Sequence, residues 1–402
     1  MRTLIFFALI ALLSACQDET ESLTGKDIEV FQEEIFNSLV DYNLTPDDAE
    51  LLPDNSLIVI GSSIDNILSP KDPISVRLKE NRECINVFPQ DGRIVFKEMD
   101  MIISEDEHLV YCSELRRSGN TDLFIQKSSL SGNPVWVNTY GDKNLDERAV
   151  SVTEILDDNY VVLGDILGEL FQNKEYHLSR VDSNGDIAWS KTIEDESTIS
   201  EMRKVLYLSS DNTILVLGEY SNGPTPTQLK LTKFSVDGLL LSSRVIVDNE
   251  RIWNSSSDMR LMEGGNILIY FTERGNSSNS ANTQIQLVNI NAQLEDNWVR
   301  SYEGVSPNIV EYIYEASNGD MLVLSSGSAV SDDLDIVLTR LDSNSEVKWE
   351  KAYRTSSSDQ GIKLFEKPNQ NILIIGSSNH NFDFEVDFEM VMFETDSNGV
   401  PQ

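Results

Sequence analysis

From Phe382 to Met390 the chain reads FDFEVDFEM, and strict alternation puts Asp383, Glu385, Asp387 and Glu389 on one face of a strand. Four carboxylates in a row attract a hard cation, and calcium is the ion they would suit. The loop and the carbonyl ligands that wrap calcium are not seen beside them, and a solvated edge face explains the same residues. No metal or other cofactor is therefore assigned.

Other chemistry-bearing residues are sparse or unselective. The three histidines, His108, His177 and His380, are isolated, and no Cys/His spacing suits zinc. There is no G-x-S-x-G and no phosphate-binding loop. Two carboxylates suffice for glycoside hydrolysis, but no pair stands out among 67 acidic residues. Trp253 falls outside the repeated Trp position described below, so it is a candidate sugar platform; packing at a core or rim is the alternative.

Lysine and arginine number only 31, and the formal net charge is −36. Binding nucleic acid needs a basic patch to neutralise phosphates, so that class is excluded. The charge also disfavours an anionic lipid surface and fits solubility and mutual repulsion.

The N-terminus carries a further chemical signal. Arg2 precedes the apolar run Leu4–Leu12, which is too short to span a bilayer and suits a secretion signal. Leu13-Ser14-Ala15-Cys16 follows. It resembles the lipobox of bacterial lipoproteins, which implies removal of residues 1–15 and acylation of Cys16. Several acyl chains anchor a protein firmly, at about 0.8 kcal/mol per buried CH₂. Residues 16–26 then form the lipidated Cys and a polar tether. The acidic cluster after Cys16 resembles the export signal of Bacteroidota surface lipoproteins, which implies the outer membrane and a cell-surface orientation, with the periplasmic face as alternative. Cys84 and Cys112 either pair, as an oxidising envelope permits, or stay as two buried thiols.

What positions any site is a repeat. A short apolar strand recurs as Leu57–Gly61, Leu109–Ser113, Tyr160–Gly164, Ile214–Gly218, Ile267–Phe271, Met321–Ser325 and Ile372–Gly376, with starts 51 to 54 residues apart. A second strand follows in each copy, then a turn such as Asp182–Gly185, Asp342–Ser345 or Asp396–Gly399, then a strand bearing Trp136, Trp189, Trp298 or Trp349. One more strand precedes each marker. Four hairpin-linked strands per copy predict an all-β, seven-bladed propeller of four-stranded antiparallel blades over residues 27–402. Seven positions before the turn sit Asp72, Asp122, Glu175, Gln228, Gln284, Asp335 and Glu389. One in every copy points to a structural role, as it does for the repeated Trp residues.

The third and sixth copies resemble the tandem repeats of Bacteroidota β-propeller lipoproteins, and the D-x-x-G-x-x-x-W portion resembles the Trp-docking repeat of quinoprotein-type propellers. The resemblance speaks to fold, since this scaffold hosts many activities. The first, fourth and fifth copies depart from it: Cys84–Phe88 and Ser242-Ser243 replace the Trp strand, and NAQL replaces DSNG. The last copy ends at Gln402 without its outer strand. Ile28–Phe31 is expected to supply that strand and close the ring; a short helix within 27–42 is the competing reading.

These features predict a non-catalytic envelope lipoprotein whose propeller is a binding or scaffolding platform for an envelope protein or an extracellular polymer. The alternative is a polysaccharide hydrolase or lyase with paired carboxylates in the funnel. Two carboxylates clustered with an Arg and an aromatic near the axis would mark the enzyme. Function is expected where copies disagree: Asn222–Thr227, Trp253 and the acidic strand after Asn381.

Overall fold

The computed structural model describes residues 29–32, 44–63, 72–80, 84–89, 94–116, 120–142, 144–167, 174–195, 198–221, 228–248, 257–274, 283–302, 308–328, 333–355, 357–382 and 385–402. All regular structure among them is strand. After β1 (Glu29–Gln32), blade 1 is β2 (Leu44–Leu51), β3 (Leu57–Ser63), β4 (Asp72–Leu78) and β5 (Cys84–Pro89). Blade 2 is β6 (Ile94–Ile103), β7 (His108–Arg116), β8 (Thr121–Ser129) and β9 (Pro134–Tyr140); blade 3 is β10 (Asp146–Ile155), β11 (Asn159–Leu167), β12 (Lys174–Val181) and β13 (Ile187–Thr192). Blade 4 is β14 (Thr198–Leu208), β15 (Thr213–Ser221), β16 (Gln228–Ser235) and β17 (Leu240–Asp248); blade 5 is β18 (Asp258–Leu261), β19 (Ile267–Arg274), β20 (Thr283–Ile290) and β21 (Asp296–Tyr302). Blade 6 is β22 (Asn308–Glu315), β23 (Met321–Gly327), β24 (Asp335–Leu341) and β25 (Val347–Arg354); blade 7 has β26 (Ser358–Glu366), β27 (Ile372–Phe382) and β28 (Glu385–Thr395). The chain is a seven-bladed propeller. The apolar marker strands are the second strand of each blade, buried on both faces between neighbouring blades.

The expected closing strand is corrected. β1 is extended, as the strand reading required, but it pairs in parallel with β25, from Glu29 against Lys351 to Gln32 against Arg354. It therefore widens blade 6 to five strands and leaves blade 7 with three. At the edge of blade 7, Thr395 bridges Pro401, and Gln402 N donates to Glu394 O at 3.0 Å. Blades 1 and 7 join through side chains instead of strand pairing. Ala49, Ile58 and Ile60 share one apolar cluster with Phe365, Leu373, Ile375, Met390 and Met392, and Lys367 Nζ lies 3.7 Å from Glu80 Oε1.

The turns explain both the repeat and its exceptions. Asp182 Oδ1 accepts from the N–H groups of Asn184 at 2.9 Å and Asp186 at 3.0 Å, which sets the tight turn and puts Gly185 at φ +87°. Asn291 does the same in the NAQL copy, at 3.0 and 2.9 Å, and Leu294 takes φ +64°. The turn geometry survives there without glycine.

Among the described residues, the turns of blades 2 to 7 are also gripped by the preceding blade. Trp136 Nε1 donates to Ser183 O at 3.0 Å, and Asn138 Nδ2 and Tyr140 Oη both reach Gly185 O. Lys191 beside Trp189 donates to Asp237 O at 2.5 Å. Arg300, stacked 4.4 Å from the Trp298 ring, donates to Ser343 O at 2.7 Å, and Tyr353 Oη reaches Gly399 O at 2.7 Å. Blades 1 and 4, whose outer strands lack the Trp, keep an arginine contact to the next turn, Arg77 Nη1 to Leu130 O at 3.1 Å and Arg244 Nη1 to Leu294 O at 2.5 Å, as Arg340 Nη1 does to Ser397 O at 2.8 Å in blade 6.

Candidate functional site on the propeller axis

The innermost strands line the axis, and most carry a bulge at one shared place. The residue that follows pairs with the last marker residue before the Gly position: Asp48 with Ile60, Asp100 with Cys112, Ser151 with Leu163, Lys204 with Leu217, Asp258 with Tyr270, Tyr312 with Leu324 and Lys363 with Ile375. One residue from every blade thus forms a ring, and five of the seven are charged. The sequence reading missed it. The available signal was a charged residue inside an otherwise apolar inner strand, recurring at near-constant distance before the marker; bulges blurred the alternation that would have exposed it.

The ring is internally paired. Lys363 Nζ donates to Asp48 Oδ1 at 2.6 Å and to Glu50 Oε1 at 3.1 Å. Lys204 Nζ reaches Asp100 Oδ1 at 2.6 Å past blade 3, whose own ring residue is the small Ser151. Burial alone would lower the Lys204 ammonium, but Asp100, then Asp258 and Asp48, hold it above its ordinary value. Asp258 Oδ2 accepts from Tyr270 Oη at 2.9 Å. Arg260 stacks 4.2 Å from the Tyr312 ring centre, and Lys363 lies 5.2 Å from it on its own account.

The same side chains tie blade to blade. Met101 N donates to Asp48 Oδ2 at 3.2 Å, Val152 N to Asp100 Oδ2 at 2.9 Å, and Val205 N to Ser151 Oγ at 3.2 Å. Thr272 Oγ1 accepts from Val310 N at 2.9 Å, and Ser326 Oγ from Gly361 N at 3.3 Å. A bulge frees a backbone N–H, and the neighbouring blade satisfies it. Beside this ring, burial pushes Glu311 up to about 7, against bonds from Ser326 and Gln360 that lower it.

Two carboxylates, an arginine and an aromatic do meet near the axis, as Asp48, Glu50, Arg260 and Tyr312. Their partners limit what they can do. Asp48 accepts from Lys363, Ala49 N and Met101 N, so both of its oxygens are engaged. Glu50 is pushed up by burial, with Lys363 opposing, which gives it the character of a weak acid. A cavity of about 200 Å³ on the other side of the axis is lined by Asp100, Arg203, Lys204, Ser257 and Asp258 among others.

The structure scatters the other sequence candidates. Asp122 and Asp335 are buried, Asp122 accepting from Asn120 Nδ2 at 2.7 Å and Asp335 lying 3.7 Å from Arg354 Nε. Glu175, at the same repeat position, is exposed, so blades do not use the position alike. Asp72 begins β4, and Glu385, Asp387 and Glu389 lie on β28, opposite Phe382, His380 and Ser378 of β27. Cys16, Trp253, Asp383 and the stretch 222–227 lie outside the described residues. Cys112 is a free buried thiol, pushed well up by burial.

No protein-family model matches the chain, and no curated protein matches it. Solved structures do. A puromycin hydrolase superposes with TM-score 0.57 at 10% identity, over 93% of this chain and 57% of that one. A protein of unknown function from Dyadobacter fermentans gives 0.50 at 10% identity, over 91% and 96%. The periplasmic gluconolactonase PpgL of Pseudomonas aeruginosa gives 0.50 at 9% identity, over 86% and 97%. This chain thus spans just over half of the hydrolase and nearly all of the other two. At such identities the likeness is one of fold.

Proposed function

We propose that this chain is a non-catalytic envelope lipoprotein, anchored in the outer membrane through acylated Cys16, whose propeller presents a binding platform to an envelope protein or an extracellular polymer. The carrying observation is the pairing on the axis. Lys363 and Lys204 neutralise Asp48 and Asp100, whose other partners are backbone N–H groups and the Ser151 hydroxyl. Carboxylates so engaged hold blades together; recognition then falls to the loops. At one end of the blades the connections are tight hydrogen-bonded turns such as Ser104–His108 and Asp182–Asp186. At the other end lie the longer connections from Ser221 to Gln228 and from Asp248 to Asp258, and the short one from Phe382 to Glu385. All three places where copies disagree most attach at that end.

The test is site-specific photo-crosslinking in envelopes. Crosslinkers in 222–227 or 249–256 should yield one discrete adduct, and crosslinkers at Asn184 or Asn318 in the turns should yield none. Equal labelling from both ends would overturn the platform reading, and a Cys16→Ala variant that stays in the membrane fraction would overturn the anchor. The hydrolase reading is favoured by the Asp48–Glu50–Arg260–Tyr312 grouping. It requires polysaccharide cleavage that Glu50→Gln abolishes.

A further inference from the structure

The crevice between blades 2 and 3 holds a cavity of about 150 Å³. Its walls are the shared face of β11 (Val162, Gly164, Ile166), the shared face of β12 (His177, Ser179, Val181), and Leu123 and Tyr140 of blade 2. Apolar side chains share the lining with polar ones, and several of the polar ones are partnered: Asp165 accepts from Arg148 at 2.9 and 2.6 Å, and Ser179 Oγ donates to Ser190 Oγ at 2.8 Å. Glu147 is only 8% exposed; its Oε1 accepts from Asp142 N at 2.7 Å, while its Oε2 is buried without a hydrogen-bond partner. His177 Nε2 is likewise buried and without a hydrogen-bond partner, with Glu175 Oε2 3.8 Å away. An unsatisfied buried carboxylate oxygen is costly and calls for a donor.

The neighbouring crevice shows what donor fits. Gly164 pairs with His177 across β11 and β12, and Gly218 pairs with Lys230 across β15 and β16, so His177 and Lys230 hold equivalent places. Lys230 sends its ammonium 2.7 Å from Asp195 Oδ2 and lies 4.5 Å from the Tyr220 ring centre. Asp195 follows β13 as Asp142 follows β9: Ile193 N bonds Tyr176 O, and Tyr140 pairs with Leu123 at the corresponding register. Between blades 3 and 4, then, the protein fills its own acidic crevice with a lysine. Between blades 2 and 3 the lysine is replaced by a shorter imidazole.

We propose that the crevice between blades 2 and 3 binds a small organic cation, a primary ammonium on a short apolar body, with Glu147 as counter-ion and His177 Nε2 as hydrogen-bond acceptor. The ligand ammonium takes the role that Lys230 plays one blade on. The apolar body lies against Leu123, Val162 and Ile166, in a space of the size that holds a benzene ring. Burial pushes the Glu147 carboxyl up, with Asp122, Asp142 and Asp146 adding to it, and a bound cation relieves that strain. Burial lowers His177 against the opposing pull of Glu175, which favours the neutral imidazole that can accept.

The experiment is calorimetric titration of the full chain in detergent with benzylammonium and with its neutral isostere benzyl alcohol. Benzylammonium should bind saturably at one site, and benzyl alcohol at least roughly tenfold more weakly. Glu147→Gln should lose roughly tenfold in benzylammonium affinity. His177→Lys should abolish binding while raising the melting temperature, because it restores the self-filled arrangement of the next crevice. Equal binding of the amine and the alcohol, no binding of either, or full affinity in both variants overturns the proposal.

Discussion

The indole of Trp136 rests against Gly185 of the next blade so closely that a β-carbon on Gly185 would lie 2.8 Å from Trp136 Cε3. The same contact recurs between Trp189 and Gly238 and between Trp349 and Gly399. The glycine therefore serves twice, allowing positive φ in its own blade and making room for its neighbour's ring. Gly185→Ala should cost about 2–3 kcal/mol in denaturant unfolding, combining backbone strain with displacement of the ring. Gly319 gives the control: it has φ +81° but open space where its β-carbon would go, so Gly319→Ala should cost only about 1 kcal/mol. Equal costs would show that the docking contributes nothing.

The Asp100–Lys204 pair gives a second test. Removing one member of a buried pair strands the other, at about 3–5 kcal/mol, whereas removing both is much cheaper. Lys204 is partly exposed, so the lower end applies. Lys204→Met should thus lower stability by about 3 kcal/mol, and Asp100→Asn combined with Lys204→Met should recover at least half of that loss. A double-mutant cycle by chemical denaturation reads the coupling directly; additive losses would mean that the pair is not coupled.

Glu311 sets an expected pH dependence. Its carboxyl rises from an ordinary 4.5 to about 7 in the folded chain. Between those values the native state holds a proton that the unfolded chain has lost, so stability falls as pH rises through this window and levels off above it. Glu50, Glu147, Glu154 and Asp359 are also pushed up by burial and act with the same sign. The melting temperature should be higher at pH 5 than at pH 8, and Glu311→Gln should flatten the difference. A slope unchanged in that variant would assign the effect elsewhere.

Removal of residues 27–42 tests how the ring is closed. β1 adds parallel pairing at the outer edge of blade 6 and pairs with no strand of blade 1 or blade 7. The deletion should cost about 1–2 kcal/mol, as expected for loss of a short edge strand, and leave unfolding a single transition. Lys363→Met, which strands Asp48 at the joint itself, should cost more. The reverse order would restore the closing-strand idea.

Cys112 provides a probe of the same cooperativity. It is fully buried and free, so alkylation in native buffer should be slow and should accelerate only with global unfolding. Rapid native labelling would show that the core of blade 2 opens locally.

The blade was legible because it is written by local rules. A strand buried on both faces needs a short apolar run, a tight turn needs Asx and a positive-φ residue, and repetition amplifies both signals. Exceptions that looked like defects keep the geometry: Asn291 and Leu294 make the turn without DSNG, and blades 1 and 4 lose the Trp but retain, in Arg77 and Arg244, the arginine contact that Arg340 and Arg300 make beside a Trp.

The number of blades and the strand order within each were thus determined by the sequence itself, because hairpin-linked strands contact their chain neighbours. The pairing of β1 with β25, the Lys204–Asp100 contact and the crevice of Glu147 and His177 were decided only in the tertiary structure. Their partners come from distant copies, and which copy lies within reach depends on how the blades pack around the axis. Trp136 and Gly185 stand between the two cases: each is plain in the repeat, but only closure of neighbouring blades brings the ring of one onto the turn of the other.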